Sequence, residues 1–262
     1  MTRPTRIAAA LTTALLLTAC SGSPAAGPSG STEPPSDAAP ASVTVFAAAS
    51  LNKAFEEIAV EFAKDHQQTS VSFSFDASSA LVDQIQGGAP ADVFASADEI
   101  NMDRAVEAGL IEGEPSLFAT NVLTVIVPAG NPAGVTGFDA SLDGTKLVIC
   151  ADGVPCGNAT RALAERLGVQ LKPVSEEPKV TDVRGKVESG EADAGLVYTT
   201  DAKAAGDKVE AIAIPGADEN PNRYPIAVVK GSRNAAAAQE FIDFVLSESG
   251  RQILESYGFG LP

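Results

Sequence analysis

Short apolar strands that open through small-residue corners into amphipathic helices restrict the fold of this 262-residue chain more than any other feature. The first such unit reads VTVFAAASLNKAFEEIAVEF, Val43 to Phe62. Val43, Val45 and Phe46 have strand character, and three alanines then lead to Ser50. Leu51, Ala54, Phe55, Ile58, Ala59 and Phe62 follow at the spacing of one apolar helix face. Ser50 occupies the N-cap position between the two, small and uncharged. In open α/β sheets such carboxyl ends of strands are where ligands sit.

The same alternation continues to the end. Strands are predicted at Val71–Phe75, Asp92–Ala95, Val122–Val127, Lys146–Cys150, Val180–Val183, Gly195–Tyr198, Ala211–Ile214 and Tyr224–Val229. Helices are predicted around Leu81–Ile85, after Asp98, and at Asn158–Leu167, Arg184–Ser189, Ala235–Leu246 and Gly250–Tyr257. This pattern defines an α/β fold with mainly parallel sheet. Two groups of βα units without an interior linker imply two lobes, with crossings near Val122–Val127 and Arg223–Val229.

The first forty residues stand apart. Arg3 and Arg6 precede the apolar run Ile7–Ala19, which is too short to span a bilayer. It closes as Leu17-Thr18-Ala19-Cys20, which resembles the lipobox of bacterial lipoproteins. That resemblance implies a signal peptide over residues 1–19, acylation of Cys20, and an exported protein anchored to the cell membrane on its extracytoplasmic side. Residues 20–41 are rich in Ser, Pro, Gly and Ala and predict a disordered tether. As a flexible coil it spans about 25 Å.

Charge excludes some partners. The chain carries a net charge of −16, and loss of Arg3 and Arg6 with the leader takes it to −18. Nucleic acid and polybasic membrane contacts are excluded. A small anion is not, because exposed charges are screened within about 8 Å at physiological salt. Beyond Cys20 the cysteines are Cys150 and Cys156, six apart in LVICADGVPCGN, and both a disulfide and two free thiols fit an exported chain. His66 is the sole histidine, and no metal-ligand spacing is present.

Four corners end a strand and open a helix: AAAS50L, FDAS78S79AL, DGVPC156GNATRAL and TDV183RGKV, the last followed by GLVY198TTDA. The first turn of a helix has backbone N–H groups without internal partners and about half a positive charge of dipole. Several converging ends make an anion site without lysine or arginine. Taken alone, each serine is most simply a cap for its own helix, Tyr198 a strand-end residue with its ring in the core, and Cys156 a turn residue.

The segments VFAAASL (Val45–Leu51), ASSALVDQIQGGAPADVFASAD (Ala77–Asp98), DVRGKVESGEADAGLVYTTDA (Asp182–Ala202), YPIAVV (Tyr224–Val229) and the closing YGFGLP cover much of the body. In order and content they resemble the bacterial periplasmic molybdate-binding proteins. The resemblance implies a type II two-lobed periplasmic-binding-protein fold, each lobe a mainly parallel sheet flanked by helices, joined by two crossing strands. Lobe 1 would comprise residues 42–122 plus 224–262, and lobe 2 residues 123–223. It implies a monomer without cofactor or enzymatic activity that takes up molybdate, usually also tungstate, and delivers it to the membrane permease of an ABC importer. The oxyanion-binding residues carried over by motif are Ser50, Ser78, Cys156, Val183 and Tyr198, with Ser79 as the register alternative to Ser78. Cys156 stands where relatives commonly have alanine, so its backbone N–H would be the donor.

Other ligands make different demands. An amino acid needs a cation and an acid, which Arg184 and Asp182 could supply. Sulfate differs from molybdate by cavity size. Phosphate keeps a proton at neutral pH and needs an acceptor such as Asp76 or Asp182. An enzyme using Cys156 as nucleophile needs a base, and His66 is the one histidine for it.

Overall fold

The computed structural model describes residues 40–262; the expected leader, the acylated Cys20 and nearly all of the expected tether lie outside the described residues. Along the chain, β1 (Ala41–Ala48), α1 (Asn52–Asp65), β2 (Thr69–Asp76), α2 (Ser78–Gln86), β3 (Val93–Ala95), α3 (Glu99–Glu107) and β4 (Ile111–Asn121) come first. Then follow β5 (Leu123–Pro128), β6 (Leu147–Cys150), α4 (Pro155–Leu167), β7 (Ser175–Glu177), α5 (Val180–Glu188), β8 (Ala194–Tyr198), α6 (Thr199–Ala205) and β9 (Val209–Ala213). β10 (Asn222–Val229), α7 (Ala235–Leu246) and α8 (Glu248–Tyr257) complete it.

The strands form two sheets with the same plan, β2-β1-β3-β10-β4 and β7-β6-β8-β5-β9. In each, the first three strands are parallel and one strand is reversed. The reversed strand is β10 in the first sheet and β5 in the second. The chain passes from the first sheet to the second at Val122 and returns through residues 214–221. The molecule is therefore an α/β protein of two lobes, each a mainly parallel sheet with helices on its faces.

Burial follows the periodicity. Ala54, Phe55, Ile58 and Phe62 of α1 are buried, and they pack with Phe118, Phe241 and Tyr224 in one core of the first sheet. Leu81, Val82 and Met102, from α2 and α3, fill that sheet's other face. The core of the second sheet also takes in Ala77, which belongs to the α2 mouth. The lobes are in contact through that residue.

Two predicted elements shift, and β4, β7 and α6 are elements the sequence pattern does not predict. β4 has no strand alternation in sequence, and Pro115 interrupts it. It lies at the sheet edge, paired along its length with β10 and bridged at Thr120 to Gly260, and Pro115 falls inside a register shift between Ser116 and Glu112, where proline is tolerated. α4 starts at Pro155 rather than Asn158, because proline suits the first helical position. Val180 and Val183, expected as strand, are the first turn of α5. Pro178 favours extended backbone before it, and Lys179 is the extended cap at φ −155°. Val180, Val183 and Val187 then form the buried face of the helix.

That face explains Gly195. A Cβ there would lie 2.8 Å from Val183 Cγ1 and 2.9 Å from Val187 Cγ2, so α5 rests directly on β8. Gly195→Ala is expected to cost about 1–3 kcal/mol through overpacking. Thermal unfolding should show the loss, and Val183→Ala added to it should cost less than the sum of the two single changes.

Candidate functional site: a cavity of hydroxyls and helix mouths

A cavity of about 20 Å³ is lined by residues of both lobes, including Ser50, Asp76, Ser78, Cys156, Lys179, Val180 and Tyr198. They come from the carboxyl ends of β1, β2, β6, β7 and β8. Four of the five expected oxyanion residues, Ser50, Ser78, Cys156 and Tyr198, are thus brought together. Val183 is not. Its N–H faces the Lys179 carbonyl at 3.5 Å, and its side chain is fully buried towards β8. Val180 stands at the α5 mouth instead, one turn earlier, for the reason given above. Ser79 does not line this cavity.

The serines are not caps. Ser50 lies inside a 3₁₀ turn (Ala49–Leu51) that runs into α1, and neither the cap of that turn nor the cap of α2 bonds through a side chain. Ser78 is the first residue of α2, with Ala77 as the cap. Its Oγ accepts the Ala97 N–H at 3.0 Å, leaving its own proton to donate. At α4, Pro155 has no N–H, so the first donor of that helix is the N–H of Cys156; the first helical bond is made by Asn158 to Val154.

The two tyrosines extend this pattern. The Asn222 side-chain amide donates to the Tyr198 hydroxyl at 2.6 Å and to the Ala97 carbonyl at 3.1 Å. Tyr198 therefore accepts from Asn222 and keeps its proton for another acceptor. Burial above all, then Tyr224, Asp98 and Asp201, push its phenol well above the ordinary 10.0, so it is a donor. Ser50 Oγ is 3.0 Å from the Tyr224 hydroxyl. Asn121 donates to Tyr224 at 3.3 Å, so the Tyr224 proton is free for Ser50 and the Ser50 proton for a ligand. Asn121 is itself oriented, its Oδ1 accepting from Val122 N and Thr199 Oγ1. Asn121, Asn222 and Tyr224 were not anticipated as site residues; Asn side chains give no sequence signal without the fold that places them.

One cation is present where none was expected. Lys179 lines the cavity and is paired with Asp76 at 3.6 Å. A larger cavity of about 520 Å³ shares Ser50 and Lys179 with the first and is also lined by Lys53, Arg184, Asp201 and Lys203. Arg184 is engaged by Glu188 and Asp201, and neither Arg184 nor Asp182 lines the small cavity, so the amino-acid alternative loses its two anchors. Cys156 is bonded to Cys150, with Cα atoms 5.6 Å apart, so it offers no thiol. His66 ends α1 stacked on Phe62, about 20 Å along the helix from its mouth. A cysteine nucleophile is thereby removed.

Among the described residues no cluster of His, Cys, Asp and Glu is arranged to hold a metal ion. What the cavity can do is accept an anion by hydrogen bonds from hydroxyls and first-turn amides of both lobes. Two lobes closing on such a cavity define a solute-binding protein.

The comparisons agree with that class. Residues 43–260 match the family model for bacterial extracellular solute-binding proteins, and the chain belongs to that family. It is 43% identical over 259 residues to the molybdate-binding protein ModA of Mycobacterium tuberculosis, covering 98% of this chain and 97% of that one. It is 36% identical over 229 residues to ModA of Escherichia coli, covering 83% and 88%. The solved periplasmic molybdate-binding protein of Azotobacter vinelandii, 24% identical, superposes with a TM-score of 0.73 over 84% of this chain and 99% of that one. The protein is a binding protein and not an enzyme.

Two outcomes follow from the chemistry around the cavity. Reducing the Cys150–Cys156 bridge should cost about 2 kcal/mol of stability, from the entropy of its short loop, measured by denaturant unfolding. Asp201 is buried, which raises its carboxyl to about 7 against the pull of Arg184. The folded state then holds a proton that the unfolded state releases above its ordinary value of 3.8. Stability from this group is full below pH 4 and falls as pH rises towards 7. Asp201→Asn should therefore raise the melting temperature at pH 8 relative to wild type, and the gain should vanish at pH 4.

Proposed function

We propose that this chain is a molybdate receptor that also takes tungstate and hands its ligand to the permease of an ABC importer. The observation that carries the proposal is the cavity in which Ser78 and Tyr198 each have an acceptor position already occupied and a proton left to give, beside Ser50, whose hydroxyl shares a hydrogen bond with Tyr224. Molybdate at neutral pH presents oxygens that only accept. Three hydroxyls, with first-turn N–H groups at Ser78, Cys156 and Val180, complement it. The printed names of the M. tuberculosis and E. coli relatives support the same ligand.

The lobes that close on it are residues 42–122 plus 224–262 and residues 123–223, hinged where β4 passes into β5 and where the chain returns to β10. The receptor acts as a monomer, held at the outer face of the cell membrane by an acylated Cys20 and a tether. The leader and lipobox motifs support that placement.

Thermal unfolding with molybdate, tungstate, sulfate and phosphate tests the ligand. Molybdate at 100 times its Kd should add about 2.7 kcal/mol and raise the melting temperature by about 5–10 °C. Phosphate at equal concentration should not. Ser50→Ala with Ser78→Ala should remove most of the molybdate shift. A shift with sulfate that equals that with molybdate would overturn the assignment.

A further inference from the structure

Asp76 and Lys179 are charged residues in the wall of the small cavity, one from each lobe. Asp76 is the last residue of β2, and Lys179 immediately precedes α5. The carboxylate is fixed by its own lobe: Oδ1 accepts the Ala77 N–H at 2.9 Å, and Gln84 Nε2 lies 3.5 Å from Oδ2. The Lys179 ammonium reaches that same Oδ1 from the other lobe at 3.6 Å.

We propose that the Asp76–Lys179 pair selects fully deprotonated oxyanions, with Lys179 masking a carboxylate that would otherwise repel them and welcome a protonated one. The inference rests on the oxyanion reading of the cavity. An ion pair this accessible, with each side chain about a third exposed, adds little stability by itself. Its weight lies in what either charge does alone. Coulomb interaction scales with the product of charges, so a bare carboxylate beside a doubly negative ligand is strongly repulsive. Among the described lining residues that carboxylate is also the one side chain that can only accept. Molybdate has no proton to give it, whereas hydrogen phosphate has one. Lys179 offsets the charge of a carboxylate whose Oδ1 already accepts from Ala77, so the intact pair favours the first anion over the second.

Calorimetric titration of the purified full chain with molybdate and with phosphate at pH 7 tests this. Lys179→Met should weaken molybdate binding at least tenfold and hydrogen phosphate binding less than fivefold, so the phosphate-to-molybdate Kd ratio falls more than twofold. Adding Asp76→Asn to Lys179→Met should restore most of that ratio, and Lys179→Arg should keep it near the wild-type value. A purely structural role would weaken both anions alike. A ratio that Lys179→Met leaves within twofold of wild type, or that Asp76→Asn fails to restore, overturns the pair's role while the receptor stands. A wild-type chain that takes up no oxyanion overturns both.

Discussion

Backbone N–H groups at the start of a helix have no partner within it, and here two helices from each lobe end at one small cavity. The cavity depends on that constraint. Had Ser50 and Ser78 capped their own helices, the hydroxyls would have been spent on the amides they sit beside. Instead the caps are Ala48 and Ala77, which carry no polar side chain. The amides and the hydroxyls are both left over, and both are donors. A second tier then fixes their direction: Ala97 N–H on Ser78, Asn222 on Tyr198, and Asn121 through Tyr224 on Ser50. On Ser78 and Tyr198 the contact fills an acceptor position, which turns an ambivalent hydroxyl into a donor.

The overall charge of −16 is compatible with anion capture because the field inside the cavity is local. Helix dipoles and buried hydroxyls act within a few ångströms, while the acidic surface is screened. The disulfide between the end of β6 and the first turn of α4 belongs to the same arrangement. It ties the Cys156 amide to the strand it follows. Gly157 completes this corner: a Cβ there would fall 1.8 Å from the Ala151 carbonyl oxygen, so only glycine lets the helix start this close to the loop.

Much of the fold was legible because its period is legible. The apolar faces of α1, α7 and α8 and the continuous apolar run of β5 match the buried residues of the structure. β4 was not, because its burial is set by pairing with β10 more than a hundred residues away and not by its own alternation. The site was legible as four corners but not in register. Two valines three apart fit a strand or a helix face equally, and the lysine ahead of them decides between the two by its extended backbone. That puts Val180, and not Val183, at the α5 mouth lining the cavity. The Asn and Tyr residues behind the hydroxyls, and Lys179 opposite Asp76, come from distant parts of the chain and carry no local pattern.

The reversed strand of each sheet arrives by way of a crossing, and the two lobes differ in when they receive it. The second sheet is built wholly from β5 to β9, a continuous stretch that can assemble once residue 213 has emerged. The first sheet has β3 and β4 on opposite sides of β10, so until the last forty residues appear it is split, with β4 unattached. A chain threaded outward from its amino terminus therefore has every strand of its second sheet to hand before the first sheet can close. Closing that sheet waits on β10, and the same strand carries Asn222 and Tyr224 to the hydroxyls they contact.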